Sequence, residues 1–412
     1  MSSLKKNKVV NNIVMLYVLN ITQLILPLIT LPYLTRVLSI SAYGVVSYVK
    51  SLIVYATLII EFGFLLSGTR DIVKANHDKR KMGVILGRIT VAKLLLSIVA
   101  FIALLMMIKL IPILRNYPLF TILSYVSPFL SIFLFDYFFR GLEKMNIITY
   151  RYLIMKGIST VFTFIFVKSD KQLLMIPILD ILGSIAAIVL IYIEIKKMGV
   201  KIKFDSLTAV FKSLKISFIY FLSNIASTAF GALNTLFVGI YLSSKDVAYW
   251  GIIMTLIGAV QSMYTPISDG IYPHMIKEKS LRLFGRILLF FIPVLIIGSL
   301  VTYFGADIIM LIIGGNKYIA AAYLLRECIP LLIISFFGVM FGWPSLGAID
   351  KVRETTFSTI IAAFLQVLGL IILIIFKLFT LNILILIRTI TELIMVLIRL
   401  FYLFKYRKLF NN

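Results

Sequence analysis

Residues 83–107 read GVILGRITVAKLLLSIVAFIALLMM. Apart from Arg88 and Lys93 the stretch carries no charge, and it contains no proline. About twenty apolar residues in a helix cross the hydrocarbon core of a bilayer. The apolar residues are continuous rather than alternating, which excludes a barrel strand. Eleven further runs of this kind follow outward from it, at 12–35, 44–66, 118–139, 149–167, 172–195, 215–242, 247–270, 284–304, 323–348, 355–376 and 380–404. The least regular are 149–167, interrupted by Arg151 and Lys156, and 323–348, which opens with Arg326 and Glu327. The expected fold is an all-α polytopic membrane protein of about twelve transmembrane helices.

Composition supports this over the whole chain. Of 412 residues, 61% are hydrophobic and 14% charged, against about 45–50% and about 25% in soluble domains. The mean hydropathy is +1.05. A soluble globular enzyme could not hide so much apolar surface, and a disordered chain would not carry it. Cys328 is the only cysteine, and the two histidines, His77 and His274, lie in charged loops. Neither metal nor cofactor is expected, because no ligand spacing is present. Lys5, Lys6 and Lys8 precede the first apolar run as in a signal peptide. That run continues to about Leu34 without a small-residue cleavage site, so it reads as an uncleaved first span.

The net charge of +24 reads as basic loops facing anionic lipid, not as nucleic-acid binding, since no basic stretch is long enough to be an arm. With the amino terminus cytoplasmic, the inside segments hold 26 Lys and Arg and the outside loops 8. Both termini are therefore expected in the cytoplasm. The stretches Leu38–Ser47 and Leu242–Gly251 share a tyrosine followed by glycine one or two residues on, and Tyr43 and Tyr249 are 206 positions apart. This suggests two six-helix halves, 1–196 and 215–412, joined by a basic linker at 197–214, around a central cavity. Parallel repeats of that kind suit rocking-type alternating access. Two similar helix-capping turns would explain the same pattern.

Ionisable residues inside spans mark functional paths. Seven cations fall there: Lys50, Arg88, Lys93, Lys156, Arg326, Arg388 and Arg399. Arg88, Arg326 and Arg399 lie near helix ends and are expected to snorkel. Lys50, Lys93, Lys156 and Arg388 are deeper and are the candidates for binding an anionic substrate. The acids Glu61, Asp180 and Glu392 are the candidates for taking up a coupling proton or sodium ion. Lys50 and Glu61, eleven residues apart, share a helix face. Arg388 with Glu392, and Asp136 with Arg140, stand at i, i+4 and could be local ion pairs. Lys93 and Lys156 have no local carboxylate, so each needs another helix, water or a substrate, or snorkels. Pro27, Pro32, Pro128, Pro177 and Pro266 would kink their helices and free carbonyls. Asn20, Gln23, Asn224, Asn234 and Gln261 are candidate polar lining. No nucleophile elbow, Walker loop or HExxH stretch is present, and no loop is long enough for a soluble catalytic domain, so an enzyme is not expected.

The run Leu28-Ile-Thr-Leu-Pro-Tyr-Leu-Thr-Arg-Val-Leu38, with Ala42-Tyr-Gly44, Glu61-Phe-Gly-Phe64 and Ser67-Gly-Thr-Arg-Asp71, resembles the opening of the polysaccharide-repeat flippases. These are the Wzx-type members of the multidrug/oligosaccharidyl-lipid/polysaccharide exporter superfamily. Asp136-Tyr-Phe-Phe-Arg-Gly-Leu-Glu-Lys144 is similar to their signature after span four, with Tyr137 where tryptophan is frequent. Ser223-Asn224, Tyr249-Trp250-Gly251 and Pro266 to Pro273 extend the resemblance to about residue 280. It implies a bacterial cytoplasmic-membrane flippase. The implied substrate is an undecaprenyl-pyrophosphate-linked oligosaccharide, moved outward for capsule, exopolysaccharide or O-antigen synthesis and handed to the polymerase machinery. The deep lysines would suit a pyrophosphate. A cation-coupled drug exporter of the same superfamily would favour an acidic cavity. A lipid II flippase would carry two more helices, and a polymerase or glycosyltransferase would need a larger external loop. A membrane scaffold would not need the buried charges.

Overall fold

The computed structural model describes residues 2–410, with side chains described for 11–12, 14–222, 224–225 and 233–410. Contacts divide the chain into two compact units, Met1–Ala232 and Leu233–Asn412. The first contains α1 (Ser2–Val37), α2 (Ile40–Glu61), α3 (Phe64–Lys74), α4 (Lys79–Leu110), α5 (Pro112–Arg115), α6 (Pro118–Ser131), α7 (Asp136–Gly141), α8 (Met145–Phe166) and α9 (Met175–Met198). α10 (Leu207–Tyr241) begins in the first unit and ends in the second. The second unit continues with α11 (Ser244–Ser262), α12 (Tyr264–Glu278), α13 (Leu281–Gly314), α14 (Ala322–Glu327), α15 (Ile329–Met340), α16 (Val352–Ile375) and α17 (Leu381–Lys405). Helices answer the demand that every backbone N–H and C=O in lipid be paired within the segment.

Ten helical stretches among the described residues are long and apolar enough to cross a membrane, where twelve were expected. The fifth expected span is present as α8, of 22 residues, with its apolarity diluted by Arg151 and Lys156. The seventh falls in α10, where some side chains lie outside the described residues.

Three expected spans are interrupted. The second breaks after Glu61, where Phe62 and Gly63 both have left-handed backbones (φ 42° and 78°). Gly63 is required there twice. Its positive φ suits only glycine without strain, and a Cβ would lie 2.6 Å from Tyr220 Cβ on α10. Ser67 and Ser217 hydroxyls, 2.7 Å apart, and the stacked rings of Phe62 and Phe221 close the same contact. The fourth span breaks beyond Pro128 into a 3-10 turn, then at Phe135 (φ 50°), before the short helix α7. The tenth separates into α14, α15 and a π-helical segment Phe341–Leu346, where Gly342 leaves helical geometry and Pro344 follows. Pro177 and Pro266 sit in the first turns of α9 and α12, positions that proline tolerates without a kink.

The basic segment between α9 and α10 lies against α4. The Lys203 N–H donates to Gly83 O at 3.0 Å. A Cβ on Gly83 or Gly87 would fall 2.0 or 2.2 Å from the carbonyl oxygens of Lys201 and Lys203. Arg88 closes the strap through Asp205. Arg88 is thus bound to a loop carboxylate rather than simply snorkelling. Ser39 and Ser243 each cap the helix that follows them, the latter in a capping box with Asp246. The resemblance of the two serine-containing stretches therefore has a local cause.

Candidate functional site

In the first unit, α4 carries Lys93 inward, where it is 2% exposed. Its ammonium donates to both carboxylate oxygens of Glu61 at 2.8 Å. Glu61 is the last residue of α2, so the carboxylate sits at the left-handed break. The Tyr137 ring centroid lies 5.5 Å from the same ammonium, within cation–π range. Lys93 therefore has its partner on another helix and does not snorkel.

Two further ion pairs join helices in this unit. Lys156 Nζ of α8 donates to Asp180 Oδ1 of α9 at 2.8 Å, and Ser159 Oγ donates to the same oxygen at 2.7 Å. Arg151 Nη2 donates to Asp136 Oδ2 at 2.7 Å. The i, i+4 partner expected for Asp136, Arg140, is not its ion pair. The break at Phe135 turns the short α7 so that Asp136 meets α8 instead. Arg151, one of the two charges that interrupt the fifth apolar run, is buried. Lys50 on α2 is exposed and lies within electrostatic range of both Asp180 and Lys156. It makes no salt bridge of its own among the described residues.

In the second unit the buried charges lie on α17. Arg388 Nε stands 3.7 Å from Glu392 Oε1, the expected i, i+4 pair. Ser335 of α15 donates to the other Glu392 oxygen, and Gln261 Nε2 of α11 donates to Ser335 Oγ at 2.7 Å. An Arg388 amine donates to Met254 Sδ at 2.8 Å, while Arg388 Nε has no hydrogen-bond partner. Beside them runs a chain of amides and hydroxyls. Thr391 donates to Gln366 at 2.8 Å, and Gln366 donates to Asn234 at 2.9 Å. Gln261 and Asn234 are thus drawn into the polar interior, while Asn20 and Gln23 are exposed on α1.

Arg399 does not snorkel. It is 7% exposed. Its guanidinium donates to Ser358 Oγ (2.9 Å), Thr359 Oγ1 (2.8 Å), the Thr355 carbonyl (3.4 Å) and the Gly338 carbonyl. Gly338 lies one turn before the π segment, so Arg399 fastens the broken end of α15 to α16. Arg326, the other cation expected to snorkel, pairs with Asp307 of α13. Sequence spacing missed Arg151 and Arg399 because their partners lie 15 to 61 residues away.

The seven candidates therefore sort into three cation–carboxylate pairs, Lys93 with Glu61, Lys156 with Asp180 and Arg388 with Glu392, leaving Lys50 over.

The fold is that of polytopic membrane exporters. The structure matches an inward-facing multidrug resistance MATE family transporter of the MOP superfamily, with a TM-score of 0.66 at 13% identity over 94% of this chain and 98% of that one. It matches the lipid II flippase MurJ, inward closed, with a TM-score of 0.69 at 16% identity over 96% and 87%. At these identities the likeness is one of fold. Within that class, the chain belongs to the polysaccharide biosynthesis protein family, whose model matches residues 9–279. It is 25% identical over 341 residues to a protein named "Putative O-antigen transporter" in Shigella dysenteriae, covering 81% of this chain and 85% of that one. A protein of the same name in Escherichia coli (strain K12) is 26% identical over 339 residues, covering 80% and 81%.

Proposed function

We propose that this protein is a flippase for polyprenyl-pyrophosphate-linked oligosaccharide, carrying it from the cytoplasmic to the outer leaflet of a bacterial cytoplasmic membrane. Polymerase machinery then consumes the product. Membership of the polysaccharide biosynthesis family and the relatives' names support the substrate class. The observation that supports the mechanism is the pairing of three of the four deep cations with a carboxylate, which leaves Lys50 in excess. A pyrophosphate entering the helical interior meets Lys50 first as an uncompensated charge. Within the first unit it then competes with Glu61 and Asp180 for Lys93 and Lys156. A proton or sodium ion taken up by a carboxylate releases its cation to the substrate, which couples a gradient to loading. The halves 1–196 and 215–412, joined by 197–214, rock in alternating access with both termini cytoplasmic. The 26 to 8 distribution of basic residues supports that orientation.

The test is made in a deletion strain. Lipid-linked oligosaccharides are extracted and assigned to a membrane face with a sugar-reactive probe that cannot cross the membrane. Single repeat units trapped on the inner face, released by the restored gene but not by Lys50→Ala at equal abundance, support the proposal. Units that reach the outer face yet never lengthen would indicate a polymerase. Unchanged lipid-linked sugars with altered drug sensitivity would indicate a drug exporter.

A further inference from the structure

The turn from α3 into α4 holds a cleft of about 670 Å³ whose lining includes Lys74, Arg80, Lys81 and Arg88 with Val84 and Ile85. That volume lies in the range that accommodates a small-molecule ligand, about 300–1,000 Å³. Two carboxylates also line it, and both are engaged. Asp78 accepts from the backbone N–H groups of Arg80 and Lys81 as the cap of α4 and stands 3.8 Å from Lys81 Nζ. Asp71 pairs with Arg70 at 3.3 Å. Lys74 and Arg80 have no ion-pair partner among the described residues. Arg88 is held in the wall by Asp205 of the strap. Between these charges Val84 and Ile85 of α4 give the cleft a half-buried apolar wall.

We infer that this cleft binds the phosphate headgroup of an anionic phospholipid. Lys74 and Arg80 take the phosphate, and an acyl chain follows Val84 and Ile85 of α4. The combination decides the ligand class. Free cations at the rim select an anion, and the apolar wall beside them selects an amphiphile over a soluble phosphate. Basic pockets at the boundary of a membrane-spanning helix recognise lipid headgroups on this principle. The site is separate from the interhelical ion pairs and does not depend on the transported substrate.

The full chain, purified in detergent, is titrated with dioleoylphosphatidylglycerol or dioleoylphosphatidylcholine, and bound lipid is counted by native mass spectrometry. The wild type is expected to prefer the anionic lipid. The combined variant Lys74→Gln, Arg80→Gln, Lys81→Gln should lose about tenfold or more of that affinity. A control of equal charge change, Lys212→Gln, Lys405→Gln, Lys408→Gln, should stay within about twofold. Lys74→Gln alone, on an exposed turn, gives a partial loss and serves if the triple variant is not monodisperse. Equal losses in cleft and control variants overturn the site in favour of diffuse charge. Absence of any preference for phosphatidylglycerol overturns it as an anion site. Displacement of the lipid by millimolar inorganic phosphate overturns the lipid as its ligand.

Discussion

Lys93 and Glu61 illustrate what a buried charge requires. The lysine is almost wholly enclosed, and its Coulomb gain offsets its desolvation only because both carboxylate oxygens are 2.8 Å away. Lys93→Met leaves the Glu61 carboxylate unpaired, at an expected cost of about 2–4 kcal/mol. Thermal unfolding in detergent should show the loss, and Lys93→Met combined with Glu61→Gln should recover part of it. Identical melting of single and double variants would mean that the carboxylate had not been left charged. Arg399 should tolerate lysine poorly, because an ammonium cannot reproduce a planar fork reaching Ser358, Thr359 and Gly338 together. Arg399→Lys is expected to lower stability by about 1–3 kcal/mol, and an unchanged melting temperature would remove its role as a fastening of α15. These residues were countable in the sequence as charges within apolar runs. Their partners were not legible, apart from the i, i+4 pair Arg388–Glu392, because helix spacing reports only neighbours on the same helix.

Helix breaks decide where those charges sit. Glu61 lies at the end of α2 because Phe62 and Gly63 turn left-handed, and Asp136 meets Arg151 because Phe135 does the same. Gly63→Ala adds a left-handed strain of about 1–2 kcal/mol and a methyl against the Tyr220 Cβ and the α10 backbone. Reduced abundance in the membrane is the expected readout, and a normally abundant, normally melting variant would contradict the close approach. The strap behaves differently, since its closing contact titrates. Burial pushes the Asp205 carboxyl up, but the bond from Arg88 and the backbone N–H bonds of Ser206 and Asp205 outweigh it and hold the group below the usual carboxylate range. A lowered folded pKa means that the stabilisation is complete above the ordinary carboxylate value and is lost as pH falls through the folded one. The protection factor of the Lys203 amide, its exchange slowed relative to the intrinsic rate at each pH, should therefore stay high through neutral and mildly acid pH and fall only at strongly acid pH. In Asp205→Asn the protection factor should be lower throughout and independent of pH. A wild type as pH-independent as the variant would contradict the latch. Gly63 was visible as a glycine beside a charged residue, but the left-handed phenylalanines carry no local signal, since their strain is imposed by packing.

At the scale of the whole chain, hydropathy and family membership agree. The family model ends at residue 279, and the resemblance carried by residues 28–273 ends at the same place. Under the proposed orientation, a reporter fused after Lys408 should be active only as a cytoplasmic marker. One inserted near Lys317 should be active only as an exported marker. The reverse pattern would invert the topology. The sequence alone determined that this chain is an all-helical membrane protein, which exporter class it resembles and which charges lie within its spans. Those conclusions follow from local apolarity and motif, and a bilayer leaves a continuous apolar run no other satisfied backbone than a helix. Only the tertiary structure decided which carboxylate holds which cation, that the basic segment before α10 is a strap on α4, and that Arg151 and Arg399 are buried. Each of these depends on contacts between helices far apart in sequence, where shape and desolvation rather than spacing choose the partner.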